Sequence, residues 1–168
     1  MTQFSSFIDS SLFLQDEQGQ YQPATPEQIL EIARRVVDLQ IRDGMLFSTP
    51  AVVKSFLGTK LAGYEREVFV MLSLDTRHRF LDFVELFHGT IDGAEVHPRE
   101  VVKRALKCNA AAVIIAHNHP SGDAEPSAAD RAVTARLKQA LTLVDVRLLD
   151  HFVVGGSNIV SLAERGWV

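Results

Sequence analysis

His117, His119, Ser127 and Asp130 stand within one short stretch, His117-Asn118-His119-Pro120-Ser121-Gly122-Asp123-Ala124-Glu125-Pro126-Ser127-Ala128-Ala129-Asp130. Two imidazoles and a carboxylate are the donor set of a zinc site. The apolar, β-branched run from Ala110 to Ala116 reads as a buried strand that delivers His117 at its C-terminal end. If that strand persists through His119, the two histidines share a face with Cα atoms about 6.6 Å apart, and both rings reach one ion at about 2.0–2.1 Å. Asp130 closes the triad from the first turn of a helix. Ser127 fits its N-cap, and the stripe Ala129, Val133, Leu137, Ala140, Leu141 and Val144 carries it to about Val144. Three protein ligands leave a tetrahedral ion one position short, which describes a catalytic rather than a structural site. Taken singly, each residue has a plainer use as a helix cap or a hydrogen-bonded histidine. Their coincidence at the end of so apolar a strand favours the metal.

The pattern His-x-His, seven residues, Ser, two residues, Asp is met without gaps. It resembles the motif of the JAMM (MPN) metalloproteases. The fuller wording, His-Asn-His-Pro-Ser-Gly-Asp followed by Pro-Ser-x-x-Asp, comes with Leu86-Phe87-His88-Gly89-Thr90 and His97-Pro98-Arg99-Glu100-Val101 upstream and Leu149-Asp150-His151 downstream. Together these resemble the RadC branch of that superfamily, over about residues 64 to 168. The resemblance implies a cytidine-deaminase-like JAMM (MPN) domain of the α/β class, with a mixed β-sheet flanked by helices. It also implies a zinc hydrolase in which His117, His119 and Asp130 hold the ion. Zinc is the default, although iron, cobalt or nickel suits two nitrogens and one carboxylate as well.

Such chemistry needs a carboxylate to accept a proton from water and return it to the leaving amine. In JAMM proteins this glutamate precedes an apolar run on an early strand, and Glu67 ahead of Val68-Phe69-Val70-Met71-Leu72 matches that placement best. Glu65, two residues away on what reads as the same strand face, is the rival, and Glu85 on the next strand is third. The commonest fate of a lone glutamate is an exposed strand end. The family pattern also assigns the Ser127 hydroxyl to polarising the scissile carbonyl, beside its capping role. Asn118 and the Ser121-Gly122 turn read as loop-shaping residues, and His88, His97 and His151 as core histidines or partners of the ligands. Asp150 and nearby backbone oxygens are candidates to receive the second ring nitrogen of a ligand histidine.

The elements that must position these groups fall in three parts. Residues 1–24 mix Ser, Gln and Asp with scattered Phe and Leu and read as a poorly ordered arm, or one that docks on a neighbour. Residues 25–63 form a helical segment packed on the core. Thr25-Pro26-Glu27-Gln28 starts a helix whose stripe Ile29, Ile32, Ala33, Val36 and Val37 runs until Gly44, and Thr49-Pro50 starts a shorter one to about Leu61. Residues 64–168 form the RadC-like domain. Here Glu67–Leu74 and Arg79–Leu86 read as adjacent strands, followed by a helix from Pro98, the Ala111 strand, the Ser127 helix, a strand over Val146–Val154, and a last hairpin strand at Ile159-Val160-Ser161.

Composition sets the outer bounds. The 168 residues are 46% hydrophobic and 23% charged, in the range of one soluble globular domain. A net charge of −4 and a pI near 5.8 offer no global attraction to a polyanion. Arg99, Lys103 and Lys107 make only a basic edge on the Pro98 helix. The single cysteine, Cys108, excludes an internal disulfide, and the N-terminus has no cationic start or sustained apolar core. A cytoplasmic protein with no membrane span is expected.

The leading expectation is a metallopeptidase or isopeptidase acting on a peptide or protein substrate, with the oligomeric state left open. One alternative is a metal-dependent nuclease of the ββα-metal kind, yet there a hairpin leads into a helix, whereas here a strand precedes the histidines. Another is a non-catalytic binding module in DNA repair or mobile-element biology. Longer RadC proteins carry a DNA-associated helix-hairpin-helix region, and the Thr25–Leu61 helices lack its Gly-rich hairpin.

Overall fold

The computed structural model describes residues 12–42, 45–89 and 95–168. Chain order is β1 (Phe13–Gln15), β2 (Tyr21–Pro23), α1 (Pro26–Arg42), α2 (Pro50–Lys60), β3 (Val68–Leu74), β4 (Phe80–His88), α3 (Pro98–Lys107), β5 (Ala112–Asn118), α4 (Ala128–Thr142), β6 (Arg147–Gly155) and β7 (Asn158–Ser161). Five strands form one mixed sheet in the order β4-β3-β5-β6-β7, with β5 and β6 parallel and the other pairs antiparallel. This is the α/β architecture with a mixed sheet flanked by helices.

The central strands β3 and β5 are buried at every position, so each face of the sheet carries its own core. Val68, Val70, Leu72, Leu74, Ala112, Ile114 and Ala116 pack with Val53, Phe56 and Leu57 of α2. The alternate residues Phe69, Met71, Val113 and Ile115 pack with Val101 and Ala105 of α3 and Leu137 and Leu141 of α4. Period-two alternation therefore assigns side chains of opposite parity to opposite layers. Each flanking helix has a local reason to start where it does. The Thr49 hydroxyl accepts from Val52 N–H with Pro50 at the first turn, Pro98 opens α3, and Ser127 caps α4.

Three expectations need correction. Residues 12–24 are a hairpin rather than a structureless arm. The Asp16 carboxylate accepts from the backbone N–H of Gln18 and Gln20, and Gly19 supplies φ +80°, so a turn-forming side chain closes a pair too short to show alternation. The expected arm over residues 1–11, and the Gly44 stop, lie outside the described residues. In α1 the inward face is Ile29, Ala33 and Val37, while Ile32 and Val36 are 41% and 47% exposed. The helix covers one edge of the core, so a stripe as broad as the sequence suggests is only half used. Finally, β3 begins at Val68, and Glu65 lies in the bend before it, so Glu65 and Glu67 do not share a strand face.

Candidate metal centre

His117 projects from the penultimate position of β5 and is 1% exposed. His119 lies one residue past the assigned strand, yet its N–H still donates to Val154 O at 2.8 Å, so the extended path continues and both rings emerge on one side. The two Nε2 atoms are 3.0 Å apart. Asp130, in the first turn of α4, brings Oδ1 to 3.1 Å from His117 Nε2 and Oδ2 to 3.8 Å from His119 Nε2. One donor atom from each residue can be chosen so that all three lie within 4.8 Å of one another. Tetrahedral ligands at about 2.0–2.1 Å from an ion stand about 3.3 Å apart, so this group could hold a metal ion.

The remaining ring nitrogens show which lone pairs are free. His119 Nδ1 lies 2.7 Å from Asp123 O, and a carbonyl only accepts, so the proton sits on Nδ1 and Nε2 faces the centre bare. The same deduction reaches His117 through two further side chains. Thr134 Oγ1 donates to Asp130 O at 2.6 Å, which spends its single proton. It must then accept from His151 Nδ1, also at 2.6 Å. That leaves His151 Nε2 as the acceptor for His117 Nδ1–H at 2.9 Å, and His117 Nε2 as a free donor to a metal. Burial above all, then the neighbouring His117 and His119 against the opposing charge of Asp130, holds the His151 pKa well below the ordinary histidine value. A neutral His151 is what this chain of bonds requires. Phe69 walls the site, stacked on His117 with ring centroids 6.1 Å apart and edge-on to His151 at 5.7 Å.

Ser127 and Asp130 form a reciprocal capping box. The Ser127 hydroxyl accepts from Asp130 N–H at 3.1 Å, and Asp130 Oδ2 receives both the N–H and the O–H of Ser127 at 2.7 Å each. Burial opposes ionisation of Asp130, but the His117 ring beside it and the bonds from Ser127 outweigh it, and the carboxyl is held well below the usual carboxylate range. An ionised carboxylate with Oδ1 beside His117 and Oδ2 toward His119 suits a divalent cation.

The three residues open onto a cleft of about 970 Å³ that Glu67, Ser127, His97 and Arg136 also line. Glu67 is half-buried there; Glu65 is exposed and lines none of it. Glu85 is engaged elsewhere, accepting from Tyr64 OH at 2.5 Å and lying 3.6 Å from His88. His88 and His97 have side chains 49% and 54% exposed, so neither is a core histidine. The expected partner Asp150 is not in the relay. It accepts from His151 N–H, Ser161 O–H and Ala163 N–H at 2.6–2.9 Å and ties the C-terminal strands together. Sequence reasoning missed Thr134. The available signal was a polar residue one helical turn after Asp130, between Val133 and Leu137 on the buried face.

Residues 47–167 match the RadC-like JAB domain. The chain belongs to the RadC family. The match begins before residue 64 and takes in α2. A UPF0758 protein of Vibrio cholerae serotype O1 is 55% identical over 147 residues, which cover 88% of this chain and 92% of that one. UPF0758 proteins of Cellvibrio japonicus and Halorhodospira halophila are 57% and 58% identical over 83% and 88% of this chain, but only 62% and 66% of their own length is covered. This RadC-family chain therefore spans less than two thirds of some relatives and nearly all of another. Among the described residues no helix is long and apolar enough to cross a membrane.

Proposed function

We infer that this chain is a zinc-dependent hydrolase that cleaves a peptide-like amide in a protein or peptide. The observation that supports this most directly is the pair of imidazoles whose Nδ1 atoms are both occupied, presenting two bare Nε2 atoms and one Asp130 oxygen to a common point in an open cleft. When bound, zinc supplies Lewis acidity, polarising a carbonyl and lowering the pKa of a coordinated water to about 7. The residues of the chain do the rest. Glu67 is the carboxylate that takes a proton from the attacking water and passes it to the amine as the C–N bond breaks. Ser127, on the same cleft wall, can turn its hydroxyl from Asp130 Oδ2 to the carbonyl oxygen as negative charge gathers there. Phe69, stacked on His117, keeps bulk water from the buried side of the ligands. With Cys108 as its one cysteine, we place the protein in the cytoplasm.

The test is zinc content after purification, followed by turnover on quenched peptide libraries and on single-stranded DNA. The expected result is one zinc per chain and peptide cleavage that disappears in Asp130→Ala, which loses the metal, and in Glu67→Gln, which keeps it. Cleavage of DNA but not peptides would replace this reading with the nuclease one, and zinc without turnover of either would leave a binding module.

A further inference from the structure

The backbone pairing of β3 with β5 ends where Phe69 faces His117. One step further, Val68 would face Asn118, and there a side chain takes over from the ladder. Asn118 Oδ1 accepts from Val68 N–H at 2.8 Å, and Nδ2 donates to Arg66 O at 3.0 Å. In an antiparallel ladder these two groups, on either side of Glu67, point toward the neighbouring strand. An N–H on one side and a carbonyl on the other permit a single orientation of the amide. On the opposite side, Gly89 N–H donates to Glu67 O at 2.8 Å. Glu67 lies outside β3, yet its backbone is held extended from both neighbours. Alternation then fixes its direction. Phe69 and Met71 face the α3 and α4 layer, where His117 also points, and Glu67, two residues before Phe69, lines that same cleft.

We propose that Asn118 is a positioning residue for the proton-transferring carboxylate: standing between the two metal-binding histidines, its amide grips both neighbours of Glu67 and fixes that side chain against the metal centre. The proposal rests on the reading of Glu67 given above. Asn118 is 4% exposed, and its two bonds span about fifty residues of sequence to the segment that carries the base. A backbone displacement of about 1 Å at such a group costs on the order of a hundredfold in rate. Were the amide there only to satisfy a strand end, its loss would weaken the fold and leave proton transfer intact.

Asn118→Asp keeps the acceptor for Val68 but turns an oxygen toward Arg66 O; Asn118→Ser removes both bonds at smaller volume and serves if the first variant does not fold. Each is compared with the zinc-loaded wild type in amide exchange at Val68, zinc affinity by chelator competition, and kcat and KM on a quenched peptide that the wild type cleaves. In Asn118→Ser the Val68 amide is expected to exchange about five- to tenfold faster. In both variants zinc affinity stays unchanged and kcat falls about 10- to 100-fold at constant KM. Introduced into Glu67→Gln, either change brings no further loss of the residual turnover, because both act on one group. Full turnover in a variant with a loosened Val68 amide, or losses that simply multiply, overturns the proposal. Full turnover in Glu67→Gln alone, or none in the wild type, overturns the assignment of Glu67 and the proposal with it, by a separate result.

Discussion

His151 Nε2 lies 2.9 Å from Nδ1 of His117, and both rings are buried to within 1% of complete exclusion from solvent. The bond runs on through Thr134 to Asp130 O, so the backbone carbonyl of one candidate metal ligand dictates the tautomer of another. Thr134→Val keeps shape and burial but removes that relay. His151 is then free to protonate Nε2, which forces the His117 proton onto the nitrogen that faces the metal. Zinc affinity is expected to fall about 10- to 100-fold, with Thr134→Ser near wild type. The buried, unpaired His151 nitrogen should also cost about 1–3 kcal/mol of stability. Chelator competition checks the first effect and denaturant unfolding the second; wild-type affinity in Thr134→Val removes the relay from the account.

Gly155, at the end of β6, supports the site from below. A Cβ there would stand 2.4 Å from Ala124 N, 2.6 Å from Asp123 C and 2.7 Å from Gly122 O. All three atoms are backbone, so no side chain can move aside. Asp123 O is the group that holds His119 Nδ1. Gly155→Ala is therefore predicted to push the loop outward, destabilise the fold by about 1–3 kcal/mol, and weaken zinc binding by about tenfold or more. Equal affinity in the variant and wild type would show that the loop does not set the His119 ring.

Tyr64 gives a prediction in pH. Burial first, then the hydrogen bond to Glu85 and its charge, raise the phenol from 10.0 to about 12, against the Arg34 guanidinium 5.0 Å over the ring. A folded pKa above the unfolded one means that the folded state favours the neutral phenol. Its contribution to stability is complete below about pH 10 and is lost as pH rises through about 12. The difference in tyrosinate absorbance between wild type and Tyr64→Phe isolates this group, and Glu85→Gln should lower its midpoint. An unchanged midpoint in Glu85→Gln would dismiss the Glu85 contribution.

Much of this organisation is legible in the residues because local rules and burial agree there. The run from Ala110 to Ala116 has no polar residue to divert it, and Ser127 with Asp130 is a capping box in letters and in space. Legibility ends where the partner is distant in sequence. Asn118 reads as a loop former because its partners, Arg66 and Val68, lie at another strand's start; Thr134 hides in an apolar stripe because its partner, His151, comes from β6. The hairpin at residues 12–24 fails for a different reason. Three-residue strands carry too few positions for alternation to appear, so its signal lies wholly in the Asp16 turn.

If zinc is bound as proposed, withdrawing it should cost stability as well as activity, because the three candidate ligands are brought together only in the folded chain. Asp130 and His117 sit on α4 and β5, whose packing buries Leu137 and Leu141 against Val113 and Ile115. An ion shared between them adds a link across that interface. At zinc a hundredfold above its Kd the folded state gains about 2.7 kcal/mol, and a chelator should lower Tm by the corresponding amount. Asp130→Asn separates the two functions of this carboxylate. Its amide can still accept one Ser127 bond, but Oδ1 no longer carries the charge that draws a cation. In that variant the chelator is expected to leave Tm unchanged, while the apo proteins differ by about 1 kcal/mol, the usual scale of a weakened N-cap. A chelator shift as large in Asp130→Asn as in the wild type would place the metal on other ligands.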